Sequence, residues 1–149
     1  DTALSYLHDL GFIPKIIRSN GGKFMSKIIK GLYYTPTHEW IRVEDGFGFI
    51  GITDYAQESL GEIVFVELPE EDDQVDAGGE LSAIESVKAA SDIISPVTGT
   101  IVLVNDELED SPELINEDPY ENWIVKIELE DKSELNNLLD AEEYKEICE

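Results

Sequence analysis

The sequence contains a single cysteine, Cys148, so no disulfide can close within the chain and a reducing compartment is expected. Histidine is almost as scarce, and His8 and His38 are too few and too separated to form a metal-ligand set. His38-Glu39-Trp40 begins like a zinc-protease helix but has no second histidine, which removes that reading. No apolar run approaches the ~20 residues that a membrane-crossing helix needs. The largest deficit is in positive charge. Residues 43–125 are 83 residues long and hold 22 Asp and Glu, yet their one basic side chain is Lys88. The formal charge is −24, divided between −27 for residues 33–149 (5 Lys/Arg, 32 Asp/Glu) and +3 for residues 1–32 (5 against 2). So negative a surface repels nucleic acid and anionic lipid, and favours partners with basic docking sites reached by salt-sensitive steering. Nor does any nucleophile–base pair, metal cluster or phosphate loop support an enzyme in its own right.

What remains fits one domain with a short extension. At 149 residues and 42% apolar content the chain can bury a substantial core. Residues 1–32 differ from the rest. Leu4, Leu7 and Leu10 would support a helical turn or two, Asn20-Gly21-Gly22 breaks the chain, and Met25 offers an alternative start. Their basic bias bears a weak likeness to a transit peptide, although Arg18 is the segment's lone arginine and Asp1 and Asp9 oppose it; an upstream read-through or an uncleaved fragment fits them equally. We therefore treat 1–32 as an extension without assigned function and 33–149 as the domain.

From Tyr33 onward the pattern is that of strands. Trp40-Ile41-Arg42-Val43 leads into the turn signal Glu44-Asp45-Gly46, and Phe47 to Ile52 returns as a second strand. The spacing of Gly46, Gly48 and Gly51 formally matches a dinucleotide fingerprint. The intervening aromatics, the lack of a βαβ unit and the acidic surroundings exclude it. Thr53-Asp54 with Gln57 caps a short helix that Gly61 ends. Gly61-Glu62-Ile63-Val64-Phe65-Val66 recurs 38 residues later as Gly99-Thr100-Ile101-Val102-Leu103-Val104, a repeat that implies two small sheets packed face to face. Pro69, Pro96, Pro112 and Pro119 fall where loops or strand starts are expected, and residues 123–127 form the last clear strand. The end reads as helical: Ser133 caps a segment bearing Leu135, Leu138 and Leu139, and an Asp140/Glu143 capping box precedes Tyr144, Ile147 and Cys148. Such faces pack on the parent sheet more often than on a partner, and Cys148 reads as a packing residue.

Lys88 falls midway between the repeats, in Glu85-Ser86-Val87-Lys88-Ala89-Ala90-Ser91-Asp92. Leu81 to Ile84 and Ile93-Ile94 read as strands joined by a tight turn with the lysine near its tip. Small neighbours would leave its amine open to a large modifying enzyme.

Five phrases in order and spacing resemble the H protein of the glycine cleavage system: residues 34–40, 51–58, 61–69, 85–89 and 116–120. The resemblance covers 33–149. It implies a mostly β, lipoyl/biotinyl-domain-like two-sheet sandwich (a barrel-sandwich hybrid) with one short internal helix and C-terminal helices. Lys88 would carry lipoic acid in amide linkage, and Glu85 would be read by the lipoate ligase or lipoyltransferase that attaches it. A biotin carrier would have methionines beside the lysine, where this chain has Val87 and Ala89. Lipoyl domains of 2-oxoacid dehydrogenases usually have Asp before the lysine and lack the Trp40 hairpin. The family is a non-catalytic shuttle. Its implied partners are the pyridoxal-phosphate glycine decarboxylase (P protein), the tetrahydrofolate-dependent aminomethyltransferase (T protein) and dihydrolipoamide dehydrogenase (L protein). Thr37, Glu39, Ile52 and Asp92 match the surface on which the loaded arm docks. The resemblance further implies a monomer, cytoplasmic in a bacterium or in the mitochondrial matrix of a eukaryote. A lipoate-relay protein donating lipoyl groups to other complexes is the alternative; it needs the same lysine.

Overall fold

The computed structural model describes residues 16–18 and 26–148; the helical turn expected at Leu4–Leu10 and the break at Asn20–Gly22 lie outside them. The body is built from hairpins whose turns the sequence specifies. Strands β1 (Ile16–Arg18) and β2 (Lys27–Ile29) pair antiparallel, and β3 (Tyr33–Tyr34) leads into β4 (Glu39–Glu44) and β5 (Phe47–Ile52). The β4–β5 turn places Asp45 and Gly46 at φ 51° and 84°, the left-handed pair that a two-residue hairpin favours. Gly48 and Gly51 have a separate cause. A Cβ on Gly51 would lie 2.8 Å from the Trp40 ring and one on Gly48 would meet the Ile41 side chain, so both glycines make room for side chains across the hairpin.

Helix α1 (Asp54–Leu60) follows at once. Its cap is Thr53, whose hydroxyl accepts from the Ala56 amide, whereas Asp54 Oδ1 accepts from the Gln57 side chain. Gly61 ends the helix at φ 79° as expected, its amide donating to the Gln57 carbonyl. Then come β6 (Ile63–Glu67), β7 (Gln74–Val75), β8 (Glu80–Ser86), β9 (Ala90–Ile94) and β10 (Gly99–Val104). Two single-turn helices, α2 (Glu107–Asp110) and α3 (Leu114–Glu117), precede β11 (Val125–Leu129). A 3₁₀ turn (Lys132–Asn137) and α4 (Ala141–Cys148) close the chain.

The strands form a six-stranded sheet, ordered β3-β4-β5-β11-β10-β7, and a three-stranded sheet, β6-β8-β9. Between them lies an aliphatic core to which β4 and β5 give Ile41, Ile50 and Ile52, β6 gives Ile63 and Val66, β8 and β9 give Ile84 and Ile93, and β10 and β11 give Ile101 and Ile127. This is the two-sheet sandwich expected, with no closed barrel among the described residues. The 38-residue repeat becomes β6 and β10, one in each sheet, and it extends to irregularities: the register slips between Ile63 and Phe65 in β6 and between Ile101 and Leu103 in β10.

A second cluster lies outside the sandwich and draws in residues that the sequence reading placed in the extension. Ile28, Ile29 and Leu32 are buried against Tyr34, Trp40, Tyr120, Ala141, Tyr144 and Cys148. The apolar spacing of 28, 29 and 32 accounts for this, because a short paired strand and its turn can bury all three. α4 packs on the parent body as expected, its Asp140/Glu143 box reciprocal at 3.0 and 2.8 Å, and Tyr144 stacks on Tyr34. Cys148 is buried in this cluster; Ile147, grouped with it in sequence, is 41% exposed. The preceding turn is capped by Asp131 rather than Ser133: the carboxylate accepts from both the amide and the hydroxyl of Ser133.

Candidate functional site

The β8–β9 hairpin projects Lys88 at its turn. Ser86 closes that turn twice, its amide donating to the Ala89 carbonyl at 2.8 Å and its hydroxyl accepting from the Ala89 amide at 3.0 Å. The Val87 amide donates to the Glu62 carbonyl at 3.0 Å, which ties the turn to the neighbouring β6. The post is therefore held by backbone and a short side chain, while Val87, Lys88 and Ala89 remain exposed.

Lys88 bends over the corner between α1 and β6. A Cβ on Gly61 would lie 3.3 Å from Lys88 Cε and 3.8 Å from Nζ, so glycine at 61 leaves the aliphatic stem room to lie there. The cleft around it, about 550 Å³, is lined by Gln57, Glu58, Gly61, Glu62, Glu113, Asn116 and Glu117 together with Lys88 itself. Four glutamates surround one amine, yet among the described residues Lys88 makes no ion pair. Asn116 holds the corner rigid. Its amide nitrogen donates to Gln57 Oε1 at 2.9 Å and to the Gly61 carbonyl at 2.8 Å, and its oxygen accepts from the Ile63 amide at 2.8 Å. Three contacts from one side chain bind helix end, turn and strand start. That role was invisible in sequence, where Asn116 was part of a motif without a task; its partners lie more than fifty residues away.

The other sequence-derived residues gather at the base of the same hairpin. In the β4–β5 register Glu39 lies opposite Ile52. Glu39 is not a surface carboxylate: it is 1% exposed. The hydroxyls of Thr35 and Thr37 both donate to its Oε1, and the Ile94 amide at the end of β9 donates to Oε2 at 3.3 Å. Burial pushes its pKa up from the ordinary glutamate range, against the pull of these hydrogen bonds. Thr37 is exposed, Ile52 buried, and Asp92 exposed two residues before Ile94. The structure thus brings Thr37, Glu39, Ile52 and the β9 segment bearing Asp92 together. The run from Ala90 to Ile94 spans about 13 Å at strand rise, which separates this cluster from the turn. Glu85 is exposed on β8, opposite Phe65 of β6 and Ala90 of β9.

His38 and Trp40 are joints. His38, at φ 73°, stacks on Tyr55 and bonds through Nδ1 to the Tyr144 hydroxyl, which also bonds Thr53. Burial lowers its pKa. Trp40 Nε1 donates to the carbonyls of Ile52 and Pro119, fastening the hairpin to the Asp118-Pro119-Tyr120 segment. No group of three or more potential metal ligands occurs among the described residues, and no described helix is long and apolar enough to cross a membrane.

Comparison with known proteins gives the family and the fold. The family model described as glycine cleavage H-protein matches residues 32–149. The chain is 59% identical over 123 residues to the glycine cleavage system H protein of Syntrophomonas wolfei, covering 83% of this chain and 95% of the relative. It is 61% identical over 117 residues to that of Vibrio campbellii, covering 77% of this chain and 93% of the relative. Among solved structures it is similar to the H protein of Mycobacterium marinum, with TM-score 0.70 and 39% identity over 77% of this chain and 94% of that one.

Proposed function

The chain belongs to the glycine cleavage H-protein family, a family of lipoate-bearing carriers within a multicomponent system, and from that premise we propose that Lys88 is the lipoylated residue. One observation carries the assignment: an exposed amine that pairs with no carboxylate among the described residues, held at a braced turn beside a glycine corner that leaves its stem room. A covalently attached carrier group needs a reachable nucleophile on a stiff post, since the cofactor supplies the reactivity and the protein supplies placement. When bound, the lipoyl dithiol supplies reversible carriage of an aminomethyl group and of a pair of electrons.

The chain's own residues present and shield that cargo. Exposed Asp92 meets a cationic group arriving along β9, and Thr37 lines the same place. Glu39 acts from behind, fixing the Thr37 hydroxyl and joining β4 to β9 through the Ile94 amide. Ile52 beneath them excludes water. In this reading the carrier serves the glycine decarboxylase, the aminomethyltransferase and dihydrolipoamide dehydrogenase in turn, after a lipoate ligase or lipoyltransferase has loaded it. The surface charge suits basic docking sites on these partners, and raised salt should slow association more than dissociation.

The test is reconstitution. The lipoylated protein, incubated with the decarboxylase and glycine, should gain a mass increment that the aminomethyltransferase and tetrahydrofolate remove. A lipoylated protein that refuses glycine-derived cargo yet passes its lipoyl group to another acceptor would be a relay instead.

A further inference from the structure

β6 breaks the alternation of its sheet at the place nearest Lys88. Ile63 pairs with Ser86 and Phe65 with Glu85, so two steps along β6 match one along β8 and Val64 is the extra residue. Ile63 and Val66 still point into the core, but both residues between them face outward, Val64 49% exposed and Phe65 50% exposed. Val87, 64% exposed, is joined through its amide to Glu62, one residue before this bulge. Two large apolar side chains on an edge strand, and a third in the lysine turn itself, therefore lie exposed on a protein with formal charge −24. Edge strands ordinarily carry charge and hide apolar groups, because an exposed apolar edge invites association.

The position selects the partner. The arm-docking residues Thr37, Glu39 and Asp92 lie towards β9, the opposite edge of the three-stranded sheet. The unmodified amine instead lies towards β6, over Gly61. We propose that Val64, Phe65 and Val87 form the docking face for the enzyme that acylates Lys88, which would meet it with an apolar cavity rimmed by basic side chains. The inference rests on Lys88 being the lipoylated residue. The acidic rim is present in Glu58, Glu62 and Glu117 of the cleft and in Glu85, directly across from Phe65. Seated there, the enzyme delivers an activated lipoyl acyl group. Lys88 Nζ bonds to its carbonyl carbon, the bond from that carbon to the activating phosphate-bearing group breaks, and the amine loses a proton to solvent. The apolar face binds the acceptor and takes no part in those bond changes.

The repeat supplies an internal control. Leu103 of β10 follows an equivalent bulge and is 44% exposed, but it belongs to the other sheet. The experiment measures acceptor kinetics of the full unmodified chain with a lipoate ligase, lipoic acid and ATP, alongside direct affinity for the ligase. Phe65→Ser should raise the acceptor KM and weaken affinity by about tenfold, as loss of an interface anchor does, with kcat retained. Val87→Ser should show a smaller shift in the same direction, Phe65→Leu should recover most of the loss, and Leu103→Ser should match the parent. Thermal unfolding confirms that each variant folds. KM and affinity within twofold of the parent for both Phe65→Ser and Val87→Ser would overturn the docking face, as would a loss confined to kcat. A parent chain that accepts no lipoyl group at all would remove the assignment of Lys88 first, and the docking face with it.

Discussion

The two ends of the β8–β9 hairpin handle charge in opposite ways. At its tip, one exposed cation stands among four glutamates and makes no ion pair among the described residues. At its base, one carboxylate is buried, held by two hydroxyls and a backbone amide. Had the tip been locked like the base, its lysine would be a structural ion pair and a poor acceptor. Had the base been as open as the tip, β4 and β9 would lose the hydrogen bond that joins the two sheets there. One short hairpin thus combines an exposed amine with a buried, hydrogen-bonded foundation, and the division can be tested by substitutions that should cost stability at one end and function at the other.

The largest stability effect belongs to the foundation. Trp40→Ala removes a buried ring and leaves the Ile52 and Pro119 carbonyls without their donor, for an expected loss of about 3–5 kcal/mol in urea unfolding. A loss as small as that of a surface substitution would mean that the base does not depend on this joint. Asn116→Ala comes next. It strands the Ile63 amide and the Gly61 carbonyl at the corner beneath Lys88 and should cost about 1–3 kcal/mol, with slower lipoyl loading because the corner loosens.

The acid–base character of Glu39 gives a smaller effect. Its carboxyl pKa is raised by burial, so the folded protein binds a proton more readily than the unfolded chain does. Stability from this group is complete below the ordinary value of 4.5 and falls as pH rises through the higher folded-state value. Denaturation of the parent and of Glu39→Gln at several pH values should therefore show the parent gaining relative stability on acidification towards 4.5; parallel curves would contradict the burial penalty. Least affected in stability is Asp92→Asn, exposed on β9, with a change within about 0.5 kcal/mol. Its effect should appear instead as a shorter lifetime of the glycine-loaded form in the absence of the aminomethyltransferase.

Much of this was legible in sequence because it is local. The Asp45-Gly46 turn, the end of α1 at Gly61, the Asp140/Glu143 box and the Lys88 turn all depend on residues within a few positions of each other. The 38-residue repeat was also visible, although the bulges that make Val64, Phe65 and Leu103 face outward were not, since a register slip depends on the partner strand. Competition between neighbouring polar groups hid one cap: Asp131 takes it in place of Ser133 because it sits one step outside the first helical turn. Long-range contacts hid the rest. Nothing near Glu39 in sequence announces that an amide 55 residues away donates to its carboxylate, and nothing near Asn116 shows that it fastens Gln57, Gly61 and Ile63. The strand at 27–29 was set apart by the basic character of its neighbours, whereas Ile28 and Ile29 join the core beside Tyr34.

The central claim is that Lys88 alone receives the carrier group. Intact-mass analysis of the parent and of Lys88→Arg after treatment with a lipoate ligase, lipoic acid and ATP tests it most directly. The parent should gain one lipoyl mass and Lys88→Arg none, while both unfold at the same denaturant concentration. A lipoyl adduct on Lys88→Arg would contradict the assignment.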